Sequence, residues 1–149
     1  MQNIPGFYRI LHEMTIVATP DQIFKALTEP QVLEAWWATH AVGEPKVGSM
    51  VQLRFGNEQS ANGMEMLEVI MLEPGRKVEW LDRQSLLPEW VGTRITWELS
   101  PIENGTKILF GQRGYASAEG CLAMCSYHWA GYLTSLKAYL ETGKGNPYR

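Results

Sequence analysis

Hydrophobic and polar positions change their period along this chain, and each change predicts an element. Residues 7–18 alternate: Ile10, Met14, Ile16 and Ala18 share one face with His12, while Arg9, Glu13 and Thr15 share the other. That is the pattern of a strand with one dry side. Thr19-Pro20-Asp21-Gln22 then opens a helix. Threonine can cap, proline suits the first helical position, and glutamine stands three residues after the cap, where a capping box needs it. The helix buries Ile23, Phe24 and Leu27. Glu29-Pro30 interrupts it, because a residue before proline is pushed out of helical geometry, and a second short helix carries Val32, Leu33, Trp36 and Trp37.

Period two returns after a loop over 41–48. Val51, Leu53 and Phe55 alternate with Gln52 and Arg54, and a polar turn follows over 56–63. The next strand runs from Met64 to about Leu72. Its alternation is poor, with Glu65 and Glu68 on opposite faces, so a bulge is expected. Glu73-Pro74-Gly75-Arg76 is a turn. Val78 and Trp80 alternate with Lys77 and Glu79, and a loop with Pro88 and Trp90 leads to Ile95, Trp97 and Leu99. Asn104-Gly105 signals a hairpin, after which Ile108, Phe110 and Gln112 share a face. From about Ser117 to Thr142 the spacing becomes three and four: Leu122, Cys125, Trp129, Leu133, Leu136 and Leu140 define one long amphipathic helix stopped by Gly143. Gly131 is costly inside that helix, and close approach of a neighbour is the expected reason.

Consecutive strands joined by tight turns imply an antiparallel sheet. The fold class is α+β: a curved sheet of about six to seven strands wrapped around a long C-terminal helix, with two short helices after the first strand. Such a sheet and one helix seldom fill the space between them, so a cavity is expected.

Composition sharpens this picture. At 149 residues, one domain over 1–149 is the expectation. Only 19% of residues are charged, while six Trp, six Tyr and four Phe supply enough large rings to line a cavity as well as fill a core. The net charge of −3 has no basic run behind it, which speaks against a nucleic-acid partner. No apolar stretch approaches a membrane span, and the first residues do not read as a secretory leader. Cys121 and Cys125, four apart on a helix, are poorly placed to bridge and read as thiols in a reducing cytoplasm.

Four stretches together carry a resemblance. They are Ala18-Thr19-Pro20-Asp21-Gln22-Ile23-Phe24-Lys25-Ala26-Leu27-Thr28 followed by Leu33 and Trp36-Trp37; Val47-Gly48-Ser49; Gly63 with Glu68-Val69 and Glu73-Pro74, ending at Trp80; and Gly105-Thr106 with Trp129, Leu133 and Leu136. In order and spacing the chain resembles the START-like (SRPBCC, birch-pollen-allergen-like) superfamily. Within it, the nearest likeness is to homologues of the heat-shock-chaperone ATPase activator. The resemblance covers residues 7–142 and implies a helix-grip fold around an apolar cavity. It leaves chemistry open, since relatives include lipid carriers and polyketide cyclases. Two positions depart from the family pattern: His128 stands where glycine often precedes the helix Trp, and Gln112 where a His or another polar residue often ends the late strand.

The expected ligand-binding set is therefore aromatic with a few polar groups. Trp36, Trp37, Phe55, Trp80, Trp90, Trp97, Phe110 and Trp129 are the rings, with Trp90 and the Trp36-Trp37 pair at the rim because they border loops. His12, Gln112, Cys125, His128 and Tyr132 fall on or beside the inner surfaces. Cys121, Cys125 and His128 lie on neighbouring helix turns, but no paired ligand motif stands elsewhere, so no metal site is expected. Neither a cofactor motif nor a nucleophile–base–orienter trio can be named. The reading is a cytoplasmic protein that binds a small hydrophobic molecule, with a homodimer left open. The alternatives are a cyclase- or hydrolase-type enzyme using His128 or His12, and a chaperone-associated protein-binding module.

Overall fold

The computed structural model describes residues 6–56 and 64–148. Strand β1 (Tyr8–Ile16) is followed by helices α1 (Pro20–Thr28) and α2 (Pro30–Trp36). Then come β2 (His40–Val42), β3 (Met50–Arg54), β4 (Met64–Glu73) and β5 (Lys77–Gln84). A 3₁₀ turn (Pro88–Trp90) precedes β6 (Arg94–Ile102) and β7 (Gly105–Tyr115), and α3 (Cys121–Thr142) closes the order. All seven strands form one antiparallel sheet in the order β1-β7-β6-β5-β4-β3-β2. This is the α+β helix-grip arrangement that the periodicity implies.

The local signals operate as their chemistry requires. The Thr19 hydroxyl accepts from the Gln22 backbone N–H at 3.2 Å, and the Gln22 side chain accepts from the Thr19 N–H at 2.9 Å, completing the capping box. Gly143 ends α3 in the left-handed region at φ 85°, which glycine adopts without strain. In the β6–β7 hairpin Asn104 takes the positive φ of 64°. Gly105 is needed for space instead: a Cβ there would run into the Ile16 backbone carbonyl.

Some boundaries differ from the sequence reading. The helix expected from Ser117 begins at Cys121, because Gly120 turns the chain at φ 67° just before it. A three-residue edge strand, β2, occupies part of the expected 41–48 loop and pairs Ala41 with Leu53 of β3. Most of the expected polar turn over 56–63 lies outside the described residues. The bulge in β4 is real: its register against β5 shifts between Met66 and Leu67 and again between Val69 and Met71. Gly131 has nothing within 4 Å of where a Cβ would sit, so close approach does not explain it.

The concave face of the sheet and α3 enclose the core. Register aligns Ile10 with Gln112, Gln112 with Ile95, Ile95 with Trp80, and Trp80 with Val69, one inward row across the sheet. Trp129 and Leu136 of α3 are fully buried against this face. Trp129 lies 4.4 Å from Phe110 between ring centroids and stacks on Trp90 at 5.6 Å, while Trp37 stacks on Trp36 at 5.5 Å and on Trp80 at 5.8 Å. The tail after α3 folds back onto α2. Ser135 Oγ donates to the Trp36 carbonyl and accepts from the Asn146 N–H, and the Tyr148 N–H donates to the Trp37 carbonyl. Among the described residues no helix is long and apolar enough to cross a membrane.

Candidate functional site

At one end of the interface between sheet and α3 the rings stop meeting and leave a cavity of about 300 Å³. Trp37 enters from the end of α2, Phe55 from just beyond β3, and Glu65 from β4. Leu86, Leu87 and Trp90 come from the β5–β6 connection, Cys125, His128 and Tyr132 from successive turns of α3, and Tyr148 from the tail. Backbone bonds fix the last of these, since the Thr39 hydroxyl donates to the Tyr148 carbonyl at 2.7 Å.

Of the residues predicted from sequence, Trp37, Phe55, Trp90, Cys125, His128 and Tyr132 stand on the cavity wall. Trp36, Trp80, Trp97, Phe110 and Trp129 do not; they are sealed in the core behind it. Trp36 is a core ring rather than a rim ring, its indole N–H donating to the Ala26 carbonyl at 2.8 Å. Gln112 is occupied by the protein: its amide donates to Thr93 Oγ1 and its oxygen accepts from Tyr115 Oη and Trp129 Nε1. His12 is also used structurally, with Nε2 near the Ser126 carbonyl and hydroxyl at 3.2 and 3.3 Å, tying β1 to α3. His128 is exposed at the mouth, its ring edge-on to Tyr127. The Trp90 indole N–H donates to Cys125 Sγ at 3.2 Å, holding the loop ring against the helix.

The sequence reading missed Leu86, Leu87, Tyr148 and, above all, a buried pair of acids. Glu65 is 7% exposed and Asp82 1%. The alternation that points Leu67 and Val69 inward also points Glu65 inward, and Val78 and Trp80 carry the same row on to Asp82. Extending each row by one step would have found both acids. Asp82 pairs with Leu67 across the β4–β5 ladder, which brings it beside Glu65.

The Ser85 hydroxyl donates to Glu65 Oε1. Among the described residues no group donates to Glu65 Oε2 or, with hydrogen-bond geometry, to either Asp82 oxygen. Burial above all, and then the facing Asp82 carboxyl, push Glu65 far above the ordinary carboxylate range. Burial also raises Asp82. Its rise is smaller, because the bond from protonated Glu65 and the nearby Gln84 N–H favour its charged form. Two acids so close in a dry site share one proton at neutral pH. Burial likewise raises the Tyr132 phenol, leaving it a hydrogen-bonding hydroxyl. Among the described residues no three His, Cys, Asp or Glu side chains come together as a cation site.

A curved antiparallel sheet gripping a C-terminal helix, open at one end over an aromatic cavity, defines a START-like protein of the helix-grip class. Within that class the chain belongs to the family described as activator of Hsp90 ATPase homolog 1-like protein, which matches residues 17–141. The Aha1 dimer from Colwellia psychrerythraea, solved in solution, is 33% identical with a TM-score of 0.83, over 93% of this chain and 100% of that one. Protein SSP2350 from Staphylococcus saprophyticus is 19% identical with a TM-score of 0.79, over 95% and 98% of the two chains. CalU16 from Micromonospora echinospora is 18% identical with a TM-score of 0.70, over 93% and 76%. The last two show a common fold and nothing about chemistry. No curated protein sequence matches the chain.

Proposed function

We propose that this protein binds a small apolar or aromatic molecule in the cavity between β4, the β5–β6 connection and α3. One observation carries the reading: a core closely packed with indole rings leaves about 300 Å³ unfilled at one end, walled by Trp37, Phe55, Trp90, Tyr132 and Tyr148. Interiors are ordinarily packed to the density of organic crystals, so a hollow of this size represents lost dispersion energy that a ligand of matching shape restores. Affinity comes mainly from apolar burial, and the Glu65 carboxyl and His128 supply the polar contacts that orient the guest.

The test is intrinsic fluorescence, because Trp37 and Trp90 stand on the wall. Titration with aromatic and aliphatic compounds of fitting size is expected to change emission saturably, and native mass spectrometry of the purified protein to show a retained small molecule. Unchanged emission across a broad panel, with no retained mass, would sink the proposal. A homodimer belongs to the same reading, supported by the relative described as a dimer; sedimentation at micromolar concentration checks it. Residence in the cytoplasm is supported by the free thiols of Cys121 and Cys125, which share a hydrogen bond at 3.2 Å.

A further inference from the structure

We propose that the polar end of the ligand is a protonated amine, held by the Glu65–Asp82 pair as counter-charge and by the faces of the surrounding rings. The inference rests on the cavity being a ligand site and goes on to name the ligand's chemistry.

The acid pair is short of donors. Glu65 Oε2 and both Asp82 oxygens are buried, and beyond the proton the two acids share and the Gln84 N–H near Asp82, no donor among the described residues is directed at them. Buried polar atoms almost always find partners, so a carboxyl on the cavity wall, backed by a second buried acid, marks where a partner is missing. No lysine or arginine lines the cavity among the described residues. Arg83, the next inward acid's neighbour in sequence, turns to the outer face, where it pairs with Glu68 at 2.7 Å, and Arg94 pairs with Glu79 at 3.0 Å.

Three kinds of polar end can be compared. A carboxylate could take the unpaired Trp37 N–H, but it would add negative charge beside two acids in a dry site. A neutral hydroxyl supplies one donor and no charge to offset the pair. An ammonium supplies three donors and a positive charge, and aromatic wall residues such as Trp90 and Tyr132 attract cations.

The proton balance follows. The two facing carboxyls hold one proton between them. An ammonium entering from solution meets Glu65 as a carboxylate on the wall, with the Asp82 charge behind it, and the shared proton leaves to the buffer. The other titratable groups on the wall are Cys125, His128, Tyr132 and Tyr148, and none of them needs to change state.

Calorimetry with three probes of one shape decides the matter: 4-phenylbutylamine, 4-phenylbutan-1-ol and 4-phenylbutyrate at pH 7, each in two buffers of different ionisation enthalpy. The amine is expected to bind at least about tenfold tighter than the alcohol, with the carboxylate weakest. Proton release is expected for the amine alone. Glu65→Gln is expected to bring amine and alcohol to within about threefold of each other. Asp82→Asn serves as the second variant should the first fail to fold. Alcohol or carboxylate binding as tightly as amine, or an amine preference that survives in the variant, overturns the inference and leaves the cavity reading standing. Binding of none of the three overturns both.

Discussion

Glu65 and Asp82 show how one residue can set the behaviour of a site. Both fall on inward rows of apolar side chains. Their pKa values rise on folding, so the folded state holds protons that the unfolded chain has released. The sign is then determined: where the native state binds more protons, stability falls as pH rises. The window opens near the ordinary carboxylate range, about pH 4, and extends through neutrality. Unfolding in urea is expected to show a loss of more than about 1 kcal/mol between pH 5 and pH 8. Glu65→Gln is expected to flatten that slope and to be the more stable protein at pH 8. A wild-type profile that is level or rises over this range would contradict the buried shared proton.

At the scale of elements, α3 is held by its inner face and by a few side chains that reach the sheet. Lys137 Nζ donates to the Thr15 carbonyl at 2.8 Å, and Glu141 accepts from the Val17 N–H at 2.8 Å. Gly131 fits neither role. It faces outward into open space in the middle of the helix, where glycine costs about 1 kcal/mol relative to alanine. Gly131→Ala is expected to raise stability by about 0.5–1 kcal/mol in denaturant titration, with the added methyl touching nothing. Destabilisation instead would mean that the outer face of α3 is covered in solution. The other element with a role of its own is the tail after Gly143. It contributes Tyr148 to the cavity through backbone bonds to Trp37 and Thr39. Such bonds carry no periodicity, so nothing in the pattern of side chains announces them.

Across the whole molecule, the difference between packed and open rings is the feature with functional weight. Trp129 is fully buried, with rings on several sides: Phe110, Trp37, Trp90, Trp97 and Tyr132. Trp90 is stacked on Trp129 by one face and borders the cavity. Truncating a packed core tryptophan to alanine costs about 3–5 kcal/mol. Trp129→Ala is expected at the top of that range. Trp90→Ala is expected to cost at least about 1 kcal/mol less, because part of its surroundings is already empty. The same Trp90 variant is expected to shift ligand preference toward larger molecules. Equal costs, with ligand preference unmoved, would show that the Trp90 side of the cavity is closed in solution.

What the sequence determines by itself here is local and periodic. The capping box at Thr19, the stop at Gly143, the bulge between Glu65 and Glu68, and the inward row through Leu122, Cys125, Trp129, Leu133 and Leu136 all follow from contacts within a few residues. These hold wherever the segment folds. The START-like order of elements, and with it the curved sheet gripping a helix, was legible for the same reason. Periodicity states which face a side chain takes, and it is silent on how far along that face the opposing surface meets it. Trp80 and Trp97 read as inward rings and the Trp36-Trp37 pair as rim rings; only the closing of the sheet over α3 seals Trp36 with the first two and leaves Trp37 on a wall. Gln112 and His12 looked like spare polar groups until tertiary contacts occupied them with Trp129, Tyr115 and Ser126. Glu65 and Asp82 lie on different strands, and pairing β4 with β5 at this register is what makes them one site.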